Sequence, residues 1–295
     1  VVLVADGPLR ERAAAAGERP PPPEPLPVRV ADAHCHLDIG YDDQWLAVED
    51  AQAMAEASGI DRIVQIGVDV ASSEWSVEAA NKYERVLATV ALHPNEAPRI
   101  VEEHGEAALE HALTRITELA SDVRVRGIGE TGLDFYRTEG AAALRHQEYS
   151  FRRHIRIANE LGKPVIVHDR NAHDDVVRVL LDEGVTTDVV FHCFSGDESL
   201  ARIAAEHGWY CSFAGTVTFK SATNIRAGLA ALPQHLVLVE TDAPFLAPTP
   251  YRGAPNASYL IPLTMRAMAD VRGVNLASLC EAVSENTERV FGSFT

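Results

Sequence analysis

Short β-branched or apolar runs recur along the chain, each followed by a loop and then a stretch of helical period. This alternation constrains the fold more than any other feature. The runs are Val30–Asp38, Ile60–Asp69, Val86–Pro94, Val123–Asp134, Pro164–Arg170, Asp188–Phe194, Trp209–Thr218 and Leu236–Pro244. Helical spacing of apolar residues occupies Trp45–Ser58, Ser73–Tyr83, Glu106–Ala120 and Ala141–Leu161, with a further segment at Ser199–His207. Leu161-Gly162-Lys163-Pro164 ends one helix with glycine and then proline. Eight strand–helix units predict a parallel sheet closed into an α/β fold, the (β/α)8 TIM-like barrel. An open doubly wound sheet predicts a glycine-rich phosphate loop after the first strand. The chain reads His34-Cys35-His36-Leu37-Asp38 there, which favours the barrel.

Such a barrel needs about 250 residues, and the 295 present accommodate one as a single domain over residues 28–295. Residues 1–27 mix Asp6, Arg10, Glu11 and Arg12 with Pro20-Pro21-Pro22-Pro23-Glu24-Pro25, and read as a Pro-rich N-terminal extension of polyproline-like or loosely draped chain. They lack the basic-then-apolar order of a secretory signal. No run of about 18 apolar residues predicts a membrane span. Cys35, Cys193, Cys211 and Cys280 are too irregularly spaced for a disulfide framework, and read as thiols in a reducing, cytoplasmic compartment.

The chemistry gathers where strands end. His34-x-His36 puts two imidazoles on one side of a strand, although 12 histidines in 295 residues supply about 0.5 such pairs by chance. Repetition of place strengthens it. Glu130 closes the fourth run, His168 the fifth, His192 the sixth and Asp242 the eighth, and barrel active sites lie at the carboxyl ends of strands. Four imidazoles and two carboxylates can hold two divalent ions if one carboxylate bridges. The expected assignment gives one ion His34, His36, Glu130 and Asp242, and the other Glu130, His168 and His192. Imidazole-rich mixed sites suit zinc or manganese, among others.

Several motifs in order carry a resemblance: Asp32-Ala33-His34-Cys35-His36-Leu37-Asp38, Leu92-His93-Pro94, Gly129-Glu130-Thr131-Gly132-Leu133-Asp134-Phe135-Tyr136-Arg137, Pro164-Val165-Ile166-Val167-His168, His192-Cys193-Phe194-Ser195-Gly196 and Glu240-Thr241-Asp242-Ala243-Pro244. With them the chain, from about Val30 to Phe291, resembles the TatD family of metal-dependent deoxyribonucleases, within the wider amidohydrolase-like barrels. The resemblance implies hydrolysis of nucleic-acid phosphodiesters, ligands at the six residues above, and magnesium as a further candidate ion. Arg252-Gly253-Ala254-Pro255-Asn256-Ala257-Ser258 resembles the family's late loop but has Ala-Ser where Glu-Pro is common, which puts substrate contacts from this loop in doubt. Asn256-Ala257-Ser258 also matches a glycosylation sequon, to which the lack of a secretory signal gives little weight.

The expected function is therefore a metal-dependent hydrolase of exonuclease type acting on DNA ends, with metal-activated water and with Asp242 and Glu130 as catalytic residues. The formal net charge of -17 argues against broad electrostatic grip on nucleic acid or anionic membrane. Two divalent ions against two carboxylates leave about +2 at the site, and remote charge is screened over about 8 Å. Action at ends, on single strands, fits that balance better than action along a duplex. The same metals could serve a small-molecule amide or ester hydrolase, or a deacylase of misacylated transfer RNA. A metal-binding protein without catalysis is disfavoured by the six retained ligands. No obligate protein partner is evident.

Other residues stay open. His93 ends the third run, as a substrate contact or strand-end packing. Arg170 faces the same side as His168, for phosphate or for a structural salt bridge. Lys220 and Arg252, on late loops, are weaker candidates for substrate, with solvated charge the default. Asp134 either supports the Glu130 strand end or forms a turn. Arg152, Arg153 and Arg156 crowd one helix as a solvated row rather than a nucleic-acid patch. His104, His111 and His146 read as bystanders.

Overall fold

β1 (Val30–Cys35) buries all six of its residues and β3 (Val86–Val90) all five, as parallel strands covered on both faces do. A computed structural model describes residues 19–41 and 45–294 of the chain. Between these strands lie α1 (Val48–Ala57), β2 (Ile60–Ile66) and α2 (Val70–Lys82). After β3 come α3 (Glu96–His104), α4 (Glu106–Leu119), β4 (Val125–Asp134), α5 (Ala141–Leu161), β5 (Val165–Arg170), α6 (His173–Asp182) and β6 (Val189–Phe191). The chain continues through α7 (Glu198–His207), β7 (Tyr210–Phe213), α8 (Thr223–Ala231), β8 (Val237–Val239), α9 (Ile261–Arg272) and α10 (Leu276–Phe291).

The strands form one eight-stranded sheet in chain order, β1 to β8, with parallel pairing at β3–β4, β4–β5, β5–β6 and β7–β8. A parallel bridge between Cys35 and Ala243 joins the end of β1 to the segment after β8. Strand order and helical crossovers are those of the (β/α)8 fold. The described residues gather into two compact units. One holds the residues up to Val64, Gly196–Ala205 and Cys211–Arg289; the other holds Gln65–Ser195, Glu206–Tyr210 and the residues from Val290. No helix among the described residues is long and apolar enough to cross a membrane.

Local chemistry sets the boundaries. Asp69 caps α2: its carboxylate accepts the Ser72 N–H at 2.7 Å, and the Ser72 hydroxyl accepts the Asp69 N–H at 3.0 Å. This reciprocal box satisfies two donors that an uncapped helix would leave bare, and it starts the helix three residues earlier than periodicity placed it. α5 ends at Gly162 in the left-handed conformation, φ 64°, as its Gly-then-Pro sequence required. Pro262 occupies the first turn of α9, where its missing N–H costs nothing.

Several strands end earlier than their runs, β1 at Cys35, β2 at Ile66, β3 at Val90 and β6 at Phe191, and further differences fall in β7, β8 and β4. β7 stops at Phe213 because Gly215–Thr218 forms a 3-10 turn, in which the Thr218 hydroxyl donates to the Gly215 carbonyl at 2.6 Å. β8 stops at Val239: the Thr241 N–H turns to the Asp32 carboxylate (2.9 Å) and the Asp242 N–H to the His34 carbonyl (2.9 Å). Asp242 therefore lies in a turn beyond the strand. Glu130 lies inside β4 rather than closing it, within a register shift between Ile128 and Thr131.

Of the Pro-rich extension, residues 1–18 lie outside the described residues. The remainder packs on the first unit. The Tyr259 hydroxyl donates to the Pro20 carbonyl at 2.6 Å, Arg266 to that of Pro25 at 3.1 Å, and the Leu26 N–H to that of Ser58 at 3.1 Å.

Candidate metal centre

In the first unit, β1 and the turn after β8 bring together three of the expected ligands. His34 lies on β1 and His36 is the first residue beyond its end, two positions on. Nε2 of His36 lies 3.4 Å from Oδ1 of Asp242, and Nε2 of His34 lies 3.8 Å from the same oxygen. The two rings stand edge to face, centroids 5.1 Å apart. Asp242 holds φ at 55°, the left-handed region that costs a non-glycine residue energy and recurs at functional positions.

Asp32 braces this turn from within the core. Its Oδ1 accepts the backbone N–H of Thr241 at 2.9 Å and of His34 at 3.3 Å, while Oδ2 accepts the hydroxyls of Thr241 (2.6 Å) and Ser258 (2.7 Å). Complete burial pushes the Asp32 carboxyl up to about 7, against the lowering effect of those hydrogen bonds. The late loop adds support through Asn256, whose amide donates to the Thr241 carbonyl at 3.0 Å and the Phe245 carbonyl at 2.7 Å. Asn256 is buried, so the sequon is not a surface acceptor. The departure at Ser258 thus has a structural use.

The second unit brings together Glu130, His168 and His192, and adds His93. Oε1 of Glu130 lies 2.5 Å from Nδ1 of His168, 2.9 Å from Nε2 of His192 and 3.4 Å from Nε2 of His93. The glycines of Gly129-Glu130-Thr131-Gly132 permit this. A side chain at Gly129 would strike Ile166, and one at Gly132, where φ is 145°, would strike the His168 carbonyl oxygen. Close approach of β4 to β5 is what carries Glu130 to His168.

Charge is balanced within this group. Burial pushes the Glu130 carboxyl up, but His192, His93 and His168 together outweigh it and hold the carboxyl well below its ordinary range. Burial likewise disfavours charge on His168, yet Asp134 and Glu130 raise its pKa. His93 is lowered, first by burial and then by repulsion from His168. Nε2 of His168 faces Oδ2 of Asp134 at 3.4 Å, and Oδ1 of Asp134 accepts the N–H groups of Tyr136 (3.0 Å) and Arg137 (2.9 Å). The two readings of Asp134, support and turn former, describe one residue.

These donors fit a divalent ion. His93, Glu130 and His168 each offer a ligand atom, all within 4.8 Å of one another, and imidazole nitrogens beside a carboxylate suit borderline cations. His93 thus joins the ligand-competent group, which strand-end position alone did not reveal.

The weaker candidates have other neighbours. Arg170 makes no ion pair among the described residues; its guanidinium carbon lies 3.9 Å from the centroid of the Tyr136 ring. Arg252 similarly lies 4.6 Å over the Phe219 ring, and both Arg252 and Lys220 are exposed. Arg152, Arg153 and Arg156 are matched by Glu148, Glu183 and Glu110, which leaves no basic stripe on that helix. None of Cys35, Cys193, Cys211 and Cys280 is in a disulfide; Cys35 is buried and Cys193 half-buried, with φ at 43°.

A family model described as TatD related DNase matches residues 31–292. The metal-dependent hydrolase TatD of Mycobacterium tuberculosis is 36% identical over 266 residues, which is 89% of this chain and 98% of its own length. The metal-dependent hydrolase YcfH of Escherichia coli is 34% identical, covering 89% of this chain and 95% of its own length. Among solved structures, YjjV, a TatD homologue from Escherichia coli, superposes with a TM-score of 0.78 at 26% identity, covering 90% of this chain and 98% of that one. A TatD family hydrolase from Entamoeba histolytica gives 0.76 at 19% identity, a likeness of fold alone. On the family match and these relatives taken together, the chain belongs to the TatD family of metal-dependent hydrolases.

Proposed function

We propose that this hydrolase cleaves phosphodiester bonds at the ends of DNA, preferring single strands, with two divalent ions. The observation that carries the reading is Glu130, a buried carboxylate approached by three imidazole nitrogens in a family described as TatD related DNase. The proposed ligands are His34, His36, Glu130 and Asp242 for one ion, and Glu130, His168 and His192 for the other, with zinc, manganese or magnesium as candidates. When bound, such ions lower the pKa of water toward about 7 and stabilise charge on phosphoryl oxygens.

The chain's own residues do the rest. Asp242, with its side chain 16% exposed, orients the attacking water and accepts its proton. Glu130 holds negative charge among the histidines, and Asp134 keeps His168 in place. The acidic surface, net charge -17, restricts strong attraction to the site itself and favours ends. The buried thiols of Cys35, Cys211 and Cys280 support a reducing, cytoplasmic setting.

The test is metal-replete protein assayed on end-labelled single-stranded DNA beside panels of acyl esters and amides. Progressive trimming of the DNA is expected. Ester or amide turnover without DNA trimming overturns the assignment.

A further inference from the structure

Tyr136 and Arg170 stand at the carboxyl ends of neighbouring strands. Asp134 and Arg170 are paired in the β4–β5 register, and Tyr136 follows two residues after Asp134. Arg170 is two residues beyond His168 on β5, so it leaves the strand on the side that bears that imidazole. The Arg170 guanidinium lies 3.9 Å from the Tyr136 ring centroid, while Tyr136 remains 55% exposed. A large aromatic residue this open is seldom placed for packing.

Two features separate this pair from ordinary surface decoration. First, the Arg170 side chain has no hydrogen bond or ion pair among the described residues, whereas Arg152, Arg156 and Arg178 are each fastened to carboxylates. A guanidinium on the ring therefore keeps its N–H donors for another partner, and its flat fork suits phosphate oxygens. Second, the ring sits on a fixed turn. Asp134 Oδ1 accepts the N–H groups of Tyr136 and Arg137, and the Thr138 hydroxyl donates to Asn95 at 2.9 Å and accepts from Gln147 at 2.7 Å. A preset ring loses little freedom when a ligand stacks on it.

We propose that Tyr136, backed by Arg170, is a stacking platform for one unpaired nucleobase, with Arg170 also contacting the flanking phosphate. This rests on the phosphodiesterase reading above and deepens it. In a duplex interior both faces of a base are covered by its neighbours; a paired terminal base has one face open, and an unpaired base can turn a face to Tyr136 without breaking a pair. The platform selects frayed or single-stranded ends, and it supplies sequence-tolerant affinity that a protein of net charge -17 gains little of from long-range attraction.

The experiment compares two substrates on metal-loaded protein: a short single-stranded oligodeoxynucleotide, and the same strand with abasic residues at both ends. Wild type should show a KM about tenfold lower for the intact strand, the scale of one base–aromatic stack. Tyr136→Ala should bring the ratio of the two KM values close to 1, and Tyr136→Phe, which keeps the ring, should restore it. A wild-type enzyme that trims both strands with equal KM, or a Tyr136→Ala variant that keeps the preference, overturns the platform and leaves the phosphodiesterase reading standing. Failure of wild type to cleave either strand overturns both.

Discussion

Asp134 reaches Nε2 of His168 at 3.4 Å with one carboxylate oxygen while its other oxygen caps the turn that follows β4. His168 is thus held from two sides, with Glu130 at Nδ1 and Asp134 at Nε2. Holding an imidazole this way fixes its ring, and an ion bound beside Glu130 would meet His168 at Nδ1 with Asp134 as its outer partner.

Asp134→Asn should therefore weaken divalent-ion binding by about 10–100-fold, the usual cost of losing an outer partner of a ligand. The Asn carbonyl can still cap the turn, so the fold should persist. Metal titration by calorimetry, beside circular dichroism, measures both. Unaltered affinity would mean that Asp134 serves the turn alone.

Asp242→Asn should keep the melting temperature within a few degrees and reduce kcat on the cleaved substrate by about 10²–10⁴-fold, the range for a lost general base. Steady-state kinetics at fixed metal content decides it. A kcat equal to wild type removes Asp242 from proton transfer.

Asp32 holds the turn leading to Asp242 through hydrogen bonds from Thr241 and Ser258, although Ser258 is 226 residues away in sequence. Asp32→Ala strands buried donors and should cost about 3 kcal/mol, while Ser258→Ala, which removes one hydroxyl, should cost about 1 kcal/mol. Urea denaturation of the two variants gives the difference. Equal losses would place the stabilising role elsewhere in the network.

His154 gives stability a pH dependence of determinate sign. It is wholly buried in α5, accepts the Leu92 N–H at Nε2 (3.0 Å) and, through Nδ1, donates to the Ser150 carbonyl (2.7 Å). Burial lowers its pKa from 6.5 to about 4. The unfolded chain binds this proton more readily, so the stabilisation is complete above about 6.5 and disappears as pH falls through about 4. Across that window His154 contributes a slope of about 1.4 kcal/mol per pH unit. His154→Gln should flatten the metal-free stability profile by that amount; an unchanged slope assigns acid sensitivity to other groups.

The fold class was legible from residue order, because strand alternation and helical period are local properties, and the six ligand candidates were drawn from the same order as expectations. The same reading placed Asp242 on a strand and Glu130 at a strand's end. Both placements failed where long-range hydrogen bonds redirected the backbone: Thr241 to Asp32 at one site, a shifted β4–β5 register at the other.

What the sequence alone determined was the chemistry available and its recurrence along an eightfold α/β pattern. What only the tertiary structure decided was which groups meet: His93 with Glu130, Ser258 with Asp32, Asp134 with both His168 and the Tyr136 turn, and Arg170 with a ring instead of a carboxylate. Periodicity specifies the face of a strand but not its register against a neighbour. Those meetings depend on register and on contacts across tens to hundreds of residues, which no local pattern encodes.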